Sequence, residues 1–453
     1  MPRSALITRL IVALLIGLAL WYIWIITSAK LEIGGASPDQ QTLGTLQSVR
    51  PRAVSLDCTG VVVTAQGTWL VGRVENDYEP LAPSPERVDL NGLLEGESPS
   101  ASETTFVARL EANGIFKPVA QVSGSACLVA NADGARMLLL TDLDRPHDSD
   151  GQKVVFRSDD QGKTWAWLED GFFPDVNGVA TNISPYFYGQ DEVWAWRSAD
   201  DAEPQAGVYY SADGGAHSTP ISVTQPLAVT ADYIRSQRAD IKQWHDSSDQ
   251  LTHVLQVDAQ RAFIWVSQRF WASHPDGKSG NLAVSVTTRA QLQRAAGTWQ
   301  VDNIQRQNGL YISQLADNGD GRVIGLIDQG PHGQAVVAEL NTTTLAWKPL
   351  GDLPSVFSPL SADTQARGLW VGRNSLLINT YSDHRPPRWL YWWGEASISA
   401  DAVFYSLDWG QSWKRLAVDG YRGVRGFDGA SDRVFWSKPY GGDDTQVYSY
   451  GLH

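Results

Sequence analysis

An all-β domain carried behind one N-terminal transmembrane helix is the fold class this sequence predicts, and three observations predict it. One uncharged apolar run stands near the N-terminus, strand-like segments fill the remainder, and one turn motif recurs after three of those strands. The chain has 453 residues, 43% hydrophobic, enough for a large packed core. Gly 41, Pro 22 and Trp 19 against Met 2 and Cys 2 form a turn-rich, aromatic-rich balance that suits many strands rather than a helical bundle. A net charge of -14 opposes the phosphate neutralisation that nucleic-acid binding needs and gives no general attraction to anionic lipid.

Leu10 to Ile26, LIVALLIGLALWYIWII, carries no charge, follows Arg3 and Arg9, and precedes Lys30. At 1.5 Å per residue it just crosses a hydrocarbon core. A cleaved signal peptide and an uncleaved anchor both fit, and both export the rest of the chain because the arginines stay inside. The run's length and its closing Trp21, Tyr22 and Trp24, suited to the far interface, favour an anchor over a cut near Thr27-Ser28-Ala29. The expected organisation is a cytoplasmic 1–9, a bacterial inner-membrane span over 10–27, a periplasmic tether over 28–46, and a strand domain over 47–453. Cys58 and Cys127 both lie beyond the span, where a disulfide is permitted if their strands belong to neighbouring sheets.

Beyond the tether, runs such as VVVTA, TWLVGRV, RMLLLTDL, AFIWVSQRF, SLLINTY and RVFWS alternate with turn residues. The best helical exception, RAQLQRAA at 289–296, is short. Three segments align: VVFRSDDQGKTWAWL, GVYYSADGGAHSTPI and AVFYSLDWGQSWKRL. Two carry the full pattern, Ser158-x-Asp160-x-Gly162-x-Thr164-Trp165 and Ser406-x-Asp408-x-Gly410-x-Ser412-Trp413. Ser211-x-Asp213-x-Gly215 is a decayed copy with His217 and Ser218 in the last places.

This motif resembles the Asp-box, or BNR repeat, of sialidase-like β-propellers. The resemblance implies that each box is a hairpin between a blade's third and fourth strands, with Asp capping turn amides, Gly at positive φ and Trp beneath the turn. These residues are then structural rather than catalytic. Extending the third-strand register finds units near residues 108, 158, 211, 285, 339, 406 and 448, which predicts about seven blades, with six still open because the stretch from 220 to 285 is long. QVYSYGL is a third strand with only His453 after it, so its outer neighbour is expected from the N-terminal side, around Gln47 to Leu56, closing the ring.

Sialidase chemistry requires three arginines on a substrate carboxylate, a tyrosine nucleophile activated by glutamate, and an aspartate acid/base. The Phe/Tyr-Arg-Ile-Pro motif of that family is matched neither by Val49-Arg50-Pro51-Arg52 nor by Tyr233-Ile234-Arg235-Ser236, and Arg322, Arg367, Arg388, Arg422 and Arg425 stand in no recognisable frame. No catalytic residue is therefore assigned. Asp276-Gly277-Lys278-Ser279 lacks the opening glycine of a phosphate loop and reads as a turn. His245 and His253 have no zinc spacing, so neither metal nor cofactor is expected. Trp194, Trp196, Trp265 and Trp271 read as packing between blades. The expected function is a membrane-tethered scaffold for an envelope or periplasmic protein, or an inhibitor of a basic enzyme, with a glycoside hydrolase or glycan-binding protein as the alternative.

Overall fold

The computed structural model describes residues 3–30, 41–46, 55–75, 87–94, 103–143, 152–168, 183–197, 207–222, 227–273, 281–329, 335–386, 397–416, 424–437 and 445–452. A helix α1, Arg3–Lys30, leads into seven four-stranded antiparallel blades arranged as a closed β-propeller. The innermost strands are Ser55–Thr64, Ala126–Ala130, Ile183–Tyr188, Trp244–Gln256, Leu310–Asp317, Asp363–Val371 and Val424–Asp428, for blades 1 to 7. The third strands are Glu103–Leu110, Gln152–Ser158, Val208–Ser211, Asn281–Ala295, Ala335–Leu340, Ile398–Ser406 and Thr445–Gly451, at the seven positions the sequence register marks.

Strands inside a blade are buried on both faces, and their sequences show it as continuous rather than alternating apolar text. Arg261–Ser273, RAFIWVSQRFWAS, is buried without a break from Ala262 to Gln268. Each of the seven seams has its own apolar cluster. Trp69, Phe156 and Trp165 join blades 1 and 2, Leu140 and Val193 join 2 and 3, and Trp194, Ile264 and Trp299 join 3 and 4. Phe263 and Ile312 serve 4 and 5, Leu326 and Ile378 serve 5 and 6, Leu377 and Trp436 serve 6 and 7, and Phe106 and Phe435 serve 7 and 1.

The ring closes through Gln41–Leu46, which pairs antiparallel with Thr445–Gly451 as the fourth strand of blade 7. It also pairs in parallel with the outer strand of blade 1 at Thr45 and Leu46, opposite Ile115 and Phe116. The borrowed strand thus exists but lies just before the expected Gln47 to Leu56 window, whose last residues open the innermost strand of blade 1. The propeller accordingly begins at 41 rather than 47, and the tether shortens; QTLGTL is polar text without the β-branched and aromatic alternation that marks a strand. Two further corrections concern helices. RAQLQRAA belongs to a fifteen-residue strand, Asn281–Ala295, and Tyr233-Ile234-Arg235-Ser236 lies in a short helix α2, Ala231–Gln237, that opens on a Thr230 hydroxyl accepting the Tyr233 N–H at 3.2 Å. Asp276 to Ser279 lie outside the described residues.

Cys127 is disulfide-bonded on the innermost strand of blade 2. Cys58 lies on the innermost strand of blade 1, packed beside it, with its side chain outside the described set.

Candidate site at the axial mouth

Antiparallel radial blades put the first-to-second and third-to-fourth turns on one face of the disc, and the other connections on the opposite face. The Ser-x-Asp turns occupy the first face, at the outer hairpins of blades 2, 3 and 6. Their bonding is the same three times. Ser158, Ser211 and Ser406 donate Oγ–H to Asp160, Asp213 and Asp408 at 3.0, 2.8 and 2.7 Å, and accept the N–H of Gly162, Gly215 and Gly410 at 2.8, 2.8 and 2.7 Å. The carboxylates take the amides of Thr164, His217 and Ser412, and the side chains of those residues fill the second oxygen at 2.7, 2.7 and 2.5 Å.

Gln161 and Gly162, Gly214 and Gly215, and Trp409 and Gly410 all have positive φ, so two successive left-handed residues make the hairpin. Burial works against the Asp213 charge, but the bonds from His217 and Ser211 outweigh it and hold its pKa to about 2. The Ser412 donors lower Asp408 to about 2 as well. These carboxylates are saturated and remote from the axis, so their chemistry is that of turn caps.

Nearer the axis on the same face, the ends of three innermost strands surround a cavity of about 560 Å³. Blade 5 contributes Asp317 and Asp320, blade 6 Trp370 and Arg373, and blade 7 Phe427. The text Asp-Asn-Gly-Asp-Gly-Arg at 317–322 makes the first wall a tight turn: Asp317 accepts the Gly319 N–H at 2.8 Å, and Asn318 accepts those of Asp320 and Arg322 at 3.0 and 3.1 Å. The second wall is pinned from the neighbouring blade. Asp432, buried at the end of blade 7's first turn, accepts from the Asn374 amide at 3.1 Å and the Ser375 hydroxyl at 2.6 Å, and Arg373 N–H donates to Gly429 O at 2.8 Å. Gly372 is required here because a Cβ would stand 2.0 Å from the Asp432 carboxylate.

The arrangement therefore holds Arg373 at the rim with a fixed backbone, and among the described residues its guanidinium makes no ion pair. Asp317 is crowded by protein yet open to solvent, and burial raises its pKa, only partly offset by the Gly319 N–H. Trp370 and Phe427 are half-buried, with apolar surface left toward the cavity.

A tyrosine–glutamate pair does exist, off the axis. Tyr210 donates to Glu192 at 2.8 Å on blade 3, and Arg294 of blade 4 contacts both at 2.5 and 2.8 Å. Gln256 and Trp194 extend the network across the seam. Burial, then the Glu192 charge, pushes the Tyr210 hydroxyl up to about 12, the reverse of an activated nucleophile. Nor do the arginines converge. Arg322 pairs with Glu339 at 2.9 Å and covers Trp409, Arg367 pairs with Asp401 at 3.1 Å, Arg425 stands on the innermost strand of blade 7, and Arg388 and Arg422 lie outside the described residues.

His253 is enclosed, with Nε2 3.2 Å from Ile312 O and burial lowering its pKa to about 4, whereas His245 is exposed. Trp194, Trp196 and Trp265 pack in seams, and Trp271 donates to Asp249 at 3.3 Å on the opposite face. There Arg269 pairs with Asp328 and covers the Tyr311 ring at 4.0 Å, a self-neutralised cluster.

Neither a protein-family model nor a curated protein sequence matches the chain. Among solved structures, a xyloglucanase from Xanthomonas campestris is similar with a TM-score of 0.43 and 14% identity, over 91% of this chain and 54% of the xyloglucanase. The β-propeller domain of the Trilobed protease from Pyrococcus furiosus gives 0.44 and 6%, over 88% and 96%. An α-L-arabinofuranosidase from Fusarium graminearum gives 0.37 and 11%, over 81% and 98%. This chain spans about half the length of the xyloglucanase. Similarity at this level does not extend to site residues.

The sequence singled out none of the mouth residues. They come from three blades and meet only when the ring closes; the available signal was an aromatic or carboxylate ending an innermost strand just before a Gly turn, as in LADNGDG, LWVGR and GFDGA.

Proposed function

We propose that this protein is a membrane-anchored propeller that binds a saccharide at its axial mouth, on the non-cytoplasmic side. The observation that carries the reading is the cavity itself. Its volume lies within the about 300–1,000 Å³ of ordinary ligand sites, and it combines two half-buried aromatic rings with carboxylate acceptors and a guanidinium that makes no ion pair among the described residues. Rings stack on the apolar faces of a sugar, and Asp317, Asp320 and Arg373 supply acceptors and donors for its hydroxyls. The anchor is supported by Ile11–Ser28, a helix segment long and apolar enough to cross a membrane, with Arg3 and Arg9 on the retained side. The repeated serine–aspartate–glycine bonding supports assigning the three turns to the sialidase-like Asp-box class.

Saccharide binding by the full chain in nanodiscs, read by saturation-transfer NMR against an oligosaccharide panel, tests this. Trp370→Ala should lower affinity about tenfold or more, as expected for the loss of a stacking anchor worth 1.4 kcal/mol or more. Binding that ignores Trp370→Ala, or a mouth that captures only protein, overturns the saccharide reading in favour of a scaffold. Glycoside hydrolysis is a second reading, favoured by two carboxylates in one cavity with Asp317 held toward its protonated form as an acid requires. Release of reducing ends, abolished by Asp317→Asn, would establish it.

A further inference from the structure

The end of α1 is seated on blade 6. Along one helix face, Ile11, Leu15 and Leu18 are bare, while Tyr22 is half-buried, Ile25 is only 3% exposed and Ile26 packs with Phe357 and Ile398. Polar bonds fix the seat. His384 Nδ1 faces Ser361 O at 2.7 Å and so carries the proton, which leaves Nε2 to accept from the Tyr22 hydroxyl at 3.1 Å. Arg415 donates to Ser28 O at 3.3 Å, a cation on the helix C-terminus.

Length makes this seat a statement about the membrane. Between Arg9 and the seated turns, the uncharged helix Leu10 to Trp21 covers about 18 Å at 1.5 Å per residue, well short of a 30 Å hydrocarbon core. The missing depth must come from the seated turns, Tyr22 to Ser28, so whatever they touch lies at bilayer depth or in its interfacial layer. What they touch is the blade 5-to-6 connection, Leu353 to Ala362, LPSVFSPLSA, ten residues without a charge in a chain of net charge -14.

We propose that Leu353 to Ala362 is a second membrane contact, immersed in the interfacial layer beside α1. The disc then lies with its connection face toward the lipid at blade 6, and the axial mouth on the other face opens away from the bilayer. This rests on the anchor reading above and adds that the head is apposed rather than loosely tethered.

The test uses the full chain in phosphatidylcholine vesicles, with single cysteines labelled by an environment-sensitive fluorophore at Leu360→Cys and, on the turn face, Thr343→Cys. Doxyl lipid with a shallow nitroxide should remove most of the emission at 360, with a blue shift, and leave that at 343 unchanged. Ser355→Cys repeats the reading should the first variant misfold. Protein that floats with the vesicles but shows equal, weak quenching at all sites overturns apposition while leaving the anchor intact. Protein that does not float overturns both.

Discussion

Blades 2 and 6 carry the complete serine–aspartate turn and blades 4 and 5 do not, yet all four set a tryptophan at the head of the outermost strand against the preceding blade. Trp165 shares a buried cluster with Trp69 of blade 1, and Trp413 joins the cluster between blades 5 and 6. In the boxless blades, Trp299 meets Trp194 at 5.3 Å, and Trp347 packs between blades 4 and 5. Two jobs that one motif joins are thus separable. The aspartate fixes the hairpin locally, and the tryptophan fills the wedge that opens between radial sheets.

Without the aspartate, blade 4 holds its hairpin by a long ladder, Asn281–Ala295 against Thr298–Asn308, and by the Glu192–Arg294–Tyr210 clamp to blade 3. Blade 3, whose turn keeps the aspartate but has His217 and Ser218 in place of Thr-Trp, joins blade 2 through the small Leu140–Val193 cluster, with surface charges beside it. Arg136 bridges Asp159 at 2.7 Å and Asp191 at 2.5 Å, pairs of small worth in solvent.

One deletion and five substitutions probe this division of labour. The largest effect is expected in blade 7, which has neither device and depends on Gln41–Leu46: a chain starting at residue 47 should lose on the order of 5 kcal/mol relative to one starting at 41, at about 1 kcal/mol per ladder bond, read by urea melts. Trp165→Ala and Trp299→Ala should each cost about 3–5 kcal/mol, since both rings are 7% exposed; a much smaller loss at Trp299 would show that the turn, not the seam, gives the ring its value. Arg294→Met should cost about 2–3 kcal/mol by leaving the half-buried Glu192 unpaired, and Glu192→Gln in the same chain should restore part of it. Asp160→Ala should cost about 1 kcal/mol, the ordinary worth of a cap, and should be additive with Trp299→Ala across the ring.

The parts of the fold legible in the sequence are those in which a side chain has to be a particular kind. Third strands are buried on both faces, so VVAEL and AVFYS read as strands by composition. The serine–aspartate turns read because a side chain that caps an amide four residues on tolerates no other spacing. Strand Gln41–Leu46 did not read, because its polar text shows no apolar alternation and backbone pairing asks little of side chains, and α2 did not read because seven residues hold too few turns to show a period. At the mouth, Asp317, Trp370 and Phe427 are ordinary strand endings until three blades bring them together.

The strand that closes the ring is the first made and the last used. Gln41–Leu46 leaves the ribosome with no partner, and Thr445–Gly451 follows only about four hundred residues later. Six blades can form on the way, but none of them can shut the circle. A chain cut short anywhere before its last strand keeps an open joint with two unpaired edges, the form proteases and aggregation select against. Ring closure thereby doubles as a check on length, made by the two ends of the domain meeting.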